Sequence, residues 1–303
     1  MRAQVGAVSL PNPVMTASGT SGHGDELGRY LDLGALGAVV VKSLSVEPWA
    51  GNPAPRVHET DAGMINSVGL QNPGVESWLE HELPPLLTAG ARVVGSIWGF
   101  RAEDYAKTAS LMASGPDGIV AIEANLSCPN VEARRNVFAH SPGGTAEAVA
   151  AAVESAGGRP VWAKLSPNVT DITEIAAAAL GAGAAGLTLV NTLMGLAIDP
   201  ATRAPRLGAG GGGLSGPAIR PVAVRAIFDC RAAFPEAPIV GVGGVARGED
   251  AAELLVAGAD AIQVGTATFL DPRAPARVLD ELGRWCRRNG IERISDLKGS
   301  AHG

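Results

Sequence analysis

Cysteine is scarce in this chain: Cys128, Cys230 and Cys286 are the only three in 303 residues, and no two form a C-x-x-C pair. An odd, sparse count argues against a disulfide framework. Three thiols also cannot supply the four ligands of an ordinary iron–sulfur cluster. The five histidines, His23, His58, His81, His140 and His302, show neither H-x-H nor H-E-x-x-H spacing, which leaves a zinc site without support. Redox chemistry on this chain would need an organic cofactor.

Aromatic residues make up only 4%, so the core has to be built mostly from Ala, Val, Leu and Ile. Charged residues are few, at 18%, and the mean hydropathy of +0.17 is the opposite of a disordered composition. Positive charge is not in excess: 24 Lys+Arg stand against 30 Asp+Glu, a net charge of −6. With no basic stripe or interleaved aromatics, nucleic acid is not an expected partner. The longest apolar stretch, residues 176–190, falls short of the roughly 20 residues a membrane span needs. The start, MRAQVGAVSLPNP, lacks the long apolar region of a signal peptide. The expectation is a cytoplasmic protein with no membrane partner.

What the sequence does contain is an alternation of Val/Ile-rich runs with longer Ala/Leu helical patterns. Strands are expected at 14–17, 38–41, 92–97, 119–124, 161–165, 186–190, 239–242 and 261–264. Helices are expected over 26–33, 102–113, 145–155, 172–180, 217–234, 248–256 and 272–288. Continuous apolar strands separated by helices form a parallel sheet buried on both faces, and eight of them fit a closed barrel. A doubly wound open sheet shares that alternation. However, the first turn, Ser18-Gly19-Thr20-Ser21-Gly22, is not a G-x-G-x-x-G fingerprint, and no G-x-x-x-x-G-K-[ST] occurs. The expected fold class is therefore α/β, a (β/α)8 TIM barrel, with residues 1–303 as one domain. The polar, turn-rich run 44–82 is expected as an inserted loop region over the C-terminal mouth.

Barrel chemistry sits at the C-terminal ends of the strands, and here those ends are polar. Strand one ends in Thr16, Ser18 and Gly19, and strand two in Lys42 and Ser43. Strand four runs into NLSCPN (125–130), strand five into KLSPN (164–168) and strand six into Asn191 and Thr192. The pairs Gly243-Gly244 and Gly265-Thr266 follow strands seven and eight, where barrels often build a phosphate site from loop amides and a helix start. A lysine at such a rim, Lys42 or Lys164, can hold an anion, stabilise a negative flavin or form a Schiff base. Asn66, Asn125 and Asn191 offer the paired donors and acceptors that suit an amide-bearing substrate. A lone cysteine is usually a small apolar filler. Cys128 instead stands among Ser127, Pro129 and Asn130, a setting for a reactive thiol acting as nucleophile or base. Cys230 and Cys286 fall in helical patterns and read as structural, and Trp98 and Trp162 read as packing residues.

The segments NPVMTASGT (12–20), VVKS (40–43), INSVGLQNPG (65–74), ANLSCPN (124–130), AKLSPN (163–168), VNT (190–192), GGLSGPAIRP (212–221), VGGV (242–245) and VGTA (264–267) together resemble dihydroorotate dehydrogenase. They span nearly the whole chain in order. The cysteine in ANLSCPN is similar to class 1 enzymes, since the membrane-associated class 2 family has serine there. GLQNPG resembles the NAD-linked heteromeric subtype rather than the fumarate-linked enzymes.

The resemblance implies a barrel that holds FMN noncovalently and oxidises (S)-dihydroorotate to orotate in pyrimidine biosynthesis. Cys128 would take a proton from carbon 5 as hydride passes from carbon 6 to the flavin. Lys42, Asn66, Ser67, Val68, Gly69, Leu70, Asn125, Asn191 and Thr192 would hold the substrate. Ser18, Lys42, Ser43, Ser96, Asn125, Lys164 and Val190 would hold FMN, together with Gly216, Gly243, Gly244, Gly265 and Thr266. Lys164 would stabilise negative charge on the reduced ring. Ser96 stands where the family usually offers asparagine, and Thr268 where GTAN is common. The subtype further implies a homodimer carrying a partner subunit with FAD and a [2Fe–2S] cluster, which passes electrons to NAD+. Alternatives are a flavin barrel acting on another dihydropyrimidine or using fumarate, a Schiff-base lyase, and a binding scaffold without catalysis.

Overall fold

A computed structural model of the chain describes residues 1–126 and 138–303. A short hairpin comes first, β1 (Ala3–Val5) with β2 (Val8–Leu10). Eight parallel strands make the main sheet: β3 (Val14–Thr16), β4 (Val39–Val40), β7 (Val93–Ile97), β8 (Ile119–Asn125), β9 (Val161–Lys164), β10 (Gly186–Leu189), β15 (Ile239–Val242) and β16 (Ala261–Val264). Their order is β3-β16-β15-β10-β9-β8-β7-β4. Met15 of β3 pairs in parallel with Ala38, next to β4, and this closes the sheet into a barrel. The eight expected strands thus all form, most of them a residue or two shorter at an end.

The intervening helices pack their apolar stripe onto the barrel. In α3 (Ala102–Ala113) the buried residues Tyr105, Thr108, Ala109 and Met112 repeat at the three- and four-residue spacing of one helical face. In α4 (Pro142–Ser155) Thr145, Ala148, Val149 and Ala152 do the same, and Ser141 caps its start by accepting from the Gly144 N–H. Later in the chain come α5 (Ile172–Gly181), α6 (Arg220–Ala233), α7 (Gly248–Ala257) and α9 (Ala274–Arg288), with a one-turn helix α8 (Ala267–Leu270) before the last. Gly6 of the first hairpin lies against Ala185 and Pro238, the residues just before β10 and β15. The hairpin therefore covers the N-terminal end of the barrel, and the opposite end is left for a site.

Two expected elements differ. Residues 26–33 do not form one helix but two 3-10 turns, Glu26–Arg29 and Leu33–Ala35. Gly28 inside the stretch and Gly34 directly after it lower its helix propensity. The run 44–82 is only partly an excursion. Its hairpin β5 (Val57–Thr60) and β6 (Gly63–Asn66) joins β11 (Leu193–Gly195) and β14 (Gly212–Ser215) in a four-stranded antiparallel sheet, ordered β11-β14-β6-β5. A two-residue ladder, β12 (Ile198–Asp199) with β13 (Ala204–Pro205), extends from the same side.

Residues 75–88 instead complete the barrel wall as α1 (Val75–Ser77), a π turn (Trp78–Glu82) and α2 (Leu83–Thr88), burying Trp78, Leu83 and Leu86. Pro84 and Pro85 disguise this helix in the sequence. They fall in the first turn of α2, directly after the π turn.

Candidate active site

At the C-terminal end of the barrel lies a cavity of about 490 Å³, within the usual range for a small-molecule or cofactor site. Its wall is made from strand ends: Ala17 to Thr20 after β3, Lys42 and Ser43 after β4, Asn125 ending β8 and Lys164 ending β9. Val190, Asn191 and Thr192 follow β10, Gly243 and Gly244 follow β15, and Gly265 and Thr266 follow β16. The four-stranded sheet supplies the other side through Val57, Glu59 to Met64, Asn66, Gly213 and Ser215. The excursion expected over the mouth is thus a wall of the cavity.

A chain of side chains runs around the rim. Asn191 Nδ2 donates to Asn125 Oδ1 at 3.2 Å, and Asn125 Nδ2 donates to Ser43 Oγ at 3.1 Å. Ser43 Oγ is also 3.3 Å from Ser18 Oγ and 2.9 Å from Ser96 Oγ. A hydroxyl has one donor and two acceptor positions, so Ser43 can serve all three neighbours. The amide orientations follow from the chain: Asn191 receives the Thr192 N–H on Oδ1 at 2.8 Å and so presents its Nδ2 to Asn125. Tyr105 from α3 locks the Asn125 backbone, its hydroxyl donating to the Asn125 carbonyl at 2.8 Å.

Two lysines bring charge to the same wall. Gly19, with φ +86, passes close to the Lys42 ammonium, and the Lys42 N–H donates to the Gly22 carbonyl at 3.0 Å. Beside it, burial pushes the His23 imidazole down to about 4, and the Lys42 charge adds to that fall against the pull of Glu26. His23 is therefore neutral near pH 7. Lys164 is almost fully buried and pairs with the fully buried Glu123 at 3.3 Å. The Glu123 carboxylate is also held by Gln263 Nε2 at 2.7 Å.

Around the ends of β15 and β16 the lining is a glycine cradle. Gly216 (φ +97) and Gly244 (φ +76) adopt backbone that side chains disfavour. A Cβ on Gly244 would sit 2.9 Å from the Arg220 backbone nitrogen, and one on Gly216 would sit 2.7 Å from Gly63 Cα. Gly243 and Gly265 complete the cradle beside Pro217 and Ile219, which lead into α6. Thr266 donates its hydroxyl to Ser215 at 2.8 Å, joining the strand-eight loop to the four-stranded sheet.

The structure thus brings Ser18, Lys42, Ser43, Asn66, Val68, Gly69, Leu70, Asn125, Lys164, Val190, Asn191 and Thr192 to one cavity with Gly216, Gly243, Gly244, Gly265 and Thr266. Among the described residues named from the sequence, Ser67 and Ser96 stand off it. Ser67 is buried with its hydroxyl accepting from Asn52 Nδ2 at 2.8 Å, so it braces the loop 66–70 from behind. Ser96 is buried with its hydroxyl 2.9 Å from Ser43 Oγ, and reaches the cavity through it. Cys128 lies outside the described residues. Burial pushes the Cys230 thiol up to about 12 and raises Cys286 as well. Trp98 packs edge-on against Trp49 and Phe100, away from the cavity.

Sequence reasoning missed Glu123 and Gln263, although a carboxylate inside IVAIEAN and an amide inside AIQV were visible interruptions of apolar strands. It also missed Arg277 of α9, which lines the cavity and donates to the Ala246 carbonyl at 3.1 Å, and the hairpin residues Glu59 to Met64. No local signal announces either. Among the described residues no cluster of His, Cys, Asp and Glu could hold a metal, and no helix is long and apolar enough to cross a membrane.

The donor set fits a flavin mononucleotide: the same cavity is lined by ammonium, amide and hydroxyl groups and by a run of glycines whose backbone an anion can approach. A model of the dihydroorotate dehydrogenase family matches residues 1–285. A Solibacter usitatus protein carrying the name dihydroorotate dehydrogenase A (fumarate) is 49% identical over 97% of this chain and 95% of its own. The dihydroorotate dehydrogenase B (NAD(+)) catalytic subunit of Desulforudis audaxviator is 49% identical over 98% of this chain and 96% of its own. That of Trichlorobacter lovleyi is 44% identical over 100% and 99%.

Proposed function

The chain belongs to the dihydroorotate dehydrogenase family, and on that footing we propose that it oxidises (S)-dihydroorotate to orotate with FMN bound in the barrel mouth. The observation that carries the proposal is that one cavity is lined both by Lys42, Asn66, Asn125 and Asn191 and by Gly216, Gly243, Gly244 and Gly265. A cyclic diamide with a carboxylate needs the first set, and a phosphate monoester the second.

Ser18, Ser43, Asn125, Lys164 and Val190 would hold FMN alongside the glycines and Thr266. When bound, FMN supplies the acceptor for the hydride that leaves carbon 6. Lys42 pairs its ammonium with the substrate carboxylate, while Asn66, Asn125, Asn191 and Thr192 orient the ring amides. The backbone of Val68, Gly69 and Leu70 closes over the same side. Cys128, three positions after Asn125, takes the proton from carbon 5 as thiolate, so that the carbon 5–carbon 6 double bond forms with loss of one proton and one hydride. A thiolate is a competent base near neutral pH once its pKa is tuned.

For the acceptor, NAD+ reached through a partner subunit bearing FAD and a [2Fe–2S] cluster is the first reading, with this chain as a homodimer in the cytoplasm. The GLQNPG loop and the catalytic-subunit names of two relatives support it. Fumarate is the second, on the name carried by the Solibacter relative.

The test is an anaerobic visible spectrum of the purified chain before and after dihydroorotate. A flavin band that bleaches supports the reaction, and adding fumarate to the bleached protein then separates the acceptors. A yellow protein that bleaches with dihydrouracil but not dihydroorotate shifts the substrate. A colourless protein that cannot be loaded with FMN overturns the proposal.

A further inference from the structure

The inside of a (β/α)8 barrel is ordinarily filled by layers of branched apolar side chains. Here the interior carries a carboxylate, an ammonium and an amide. Glu123 on β8 and Gln263 on β16 have no solvent exposure, and Lys164 on β9 has 5%. Lys164 Nζ lies 3.3 Å from Glu123 Oε1. Gln263 donates from Nε2 to Glu123 Oε2 at 2.7 Å and accepts on Oε1 from Lys164 at 3.5 Å. In the sheet, β15 and β10 separate β16 from β9, so these contacts cross the barrel interior.

Well-packed apolar side chains in place of a buried ion pair are often neutral or stabilising. Stability therefore gives no reason for the trio. Of its members only Lys164 lines the cavity, and Glu123 and Gln263 reach the site through it.

We propose that Glu123, braced by Gln263, is a positioning residue that fixes the place and offsets the charge of Lys164, and so sets how strongly the site prefers reduced over oxidised flavin. The inference rests on the FMN reading above. A carboxylate at 3.3 Å turns the ammonium into one end of a dipole as seen from the cavity. It restrains the stabilisation that an uncompensated ammonium would give to negative charge on a reduced ring. Gln263 holds one carboxylate oxygen, which keeps the other turned toward Lys164.

Glu123→Gln keeps the shape and removes the charge. The wild-type chain, Glu123→Gln, Lys164→Met and the double variant are each loaded with FMN. The flavin dissociation constant and the midpoint potential of the bound flavin are then measured for all four at the same pH. The expected result for Glu123→Gln is an about tenfold or greater tightening of reduced relative to oxidised FMN, read as a midpoint raised by about 30 mV or more. The same change made in Lys164→Met should move the midpoint less, because the ammonium whose charge Glu123 offsets is gone. An unchanged or lowered midpoint in Glu123→Gln, or an equal rise in both backgrounds, overturns the proposal. Should Glu123→Gln fail to fold, Gln263→Met removes the brace and keeps the ion pair; a moved midpoint supports the proposal and an unmoved one overturns it. A wild-type chain that takes up no FMN overturns the cofactor reading and this inference together, whereas bound FMN with an unmoved midpoint overturns the inference alone.

Discussion

Asn125 and Asn191, from the ends of strands 66 residues apart, meet side chain to side chain, Asn191 Nδ2 donating to Asn125 Oδ1 at 3.2 Å. That bond settles which way each amide faces. It leaves Asn125 with its NH2 on Ser43, so a row of polar groups is held ready before any ligand arrives. Preorganisation of this kind is what lets donors act on developing charge without rearranging.

Asn125→Ala breaks the row at its centre. Ser43 keeps Ser18 and Ser96, but Asn191 loses its acceptor. The expected outcome is a fall of about 10²-fold or more in kcat/KM for dihydroorotate and a loss of about 1–3 kcal/mol in stability from the two side-chain hydrogen bonds removed. Steady-state kinetics and urea unfolding of the same preparation measure both, and wild-type kinetics would remove Asn125 from the site.

The thiols should separate cleanly. Cys128→Ala should retain FMN and lose orotate formation by about 10²–10⁴-fold, the usual contribution of a positioned base. Cys230→Ala should turn over at close to the wild-type rate, because burial pushes that thiol up to about 12 and leaves no thiolate near pH 7. Single-turnover flavin reduction by dihydroorotate reads both, and a dead, flavin-loaded Cys230→Ala would exchange their roles.

Gly244→Ala asks for a side chain at φ +76 with its Cβ 2.5 Å from Arg220 Cβ. The backbone after β15 has to move, and the cradle moves with it. The protein should purify with little flavin, its FMN dissociation constant raised by about tenfold or more, and with stability lowered by about 1–3 kcal/mol. Flavin absorbance per protein gives the occupancy, and full occupancy would separate Gly244 from phosphate binding.

His23 gives the fold a dependence on acid. Its ordinary value of 6.5 is lowered to about 4 in the folded chain, so between those values the unfolded chain binds a proton that the folded chain does not. The contribution is complete above the unfolded value and is lost as pH falls toward the folded one. It is worth on the order of 2 kcal/mol once solvent screening of a partly exposed ring is allowed for. Urea midpoints at pH 7 and about pH 5 should fall less in His23→Gln than in the wild type, and equal falls would contradict the assignment.

The barrel was legible in the sequence because its signals are local. Eight Val/Ile-rich runs each declare a strand buried on both faces, and the polar residue after each run falls at the C-terminal rim by its position alone. Lys42, Asn125, Lys164, Asn191 and the glycines at 243, 244 and 265 were found on that ground. The helical run 75–88 was not, because Pro84 and Pro85 look like breakers in the sequence, whereas in the structure they follow a π turn and open α2.

Three further features depend on contacts that no window of sequence contains. The hairpin 57–66 becomes a cavity wall only by pairing Asn66 with Gly213. Ser67 turns away from the cavity because Asn52 holds its hydroxyl. Glu123, Lys164 and Gln263 become one network only when closure of the sheet points β8, β9 and β16 at a common interior. Strand identity is written in composition and spacing. Which side chains share the lumen is set by register and closure, and only the tertiary structure decides those.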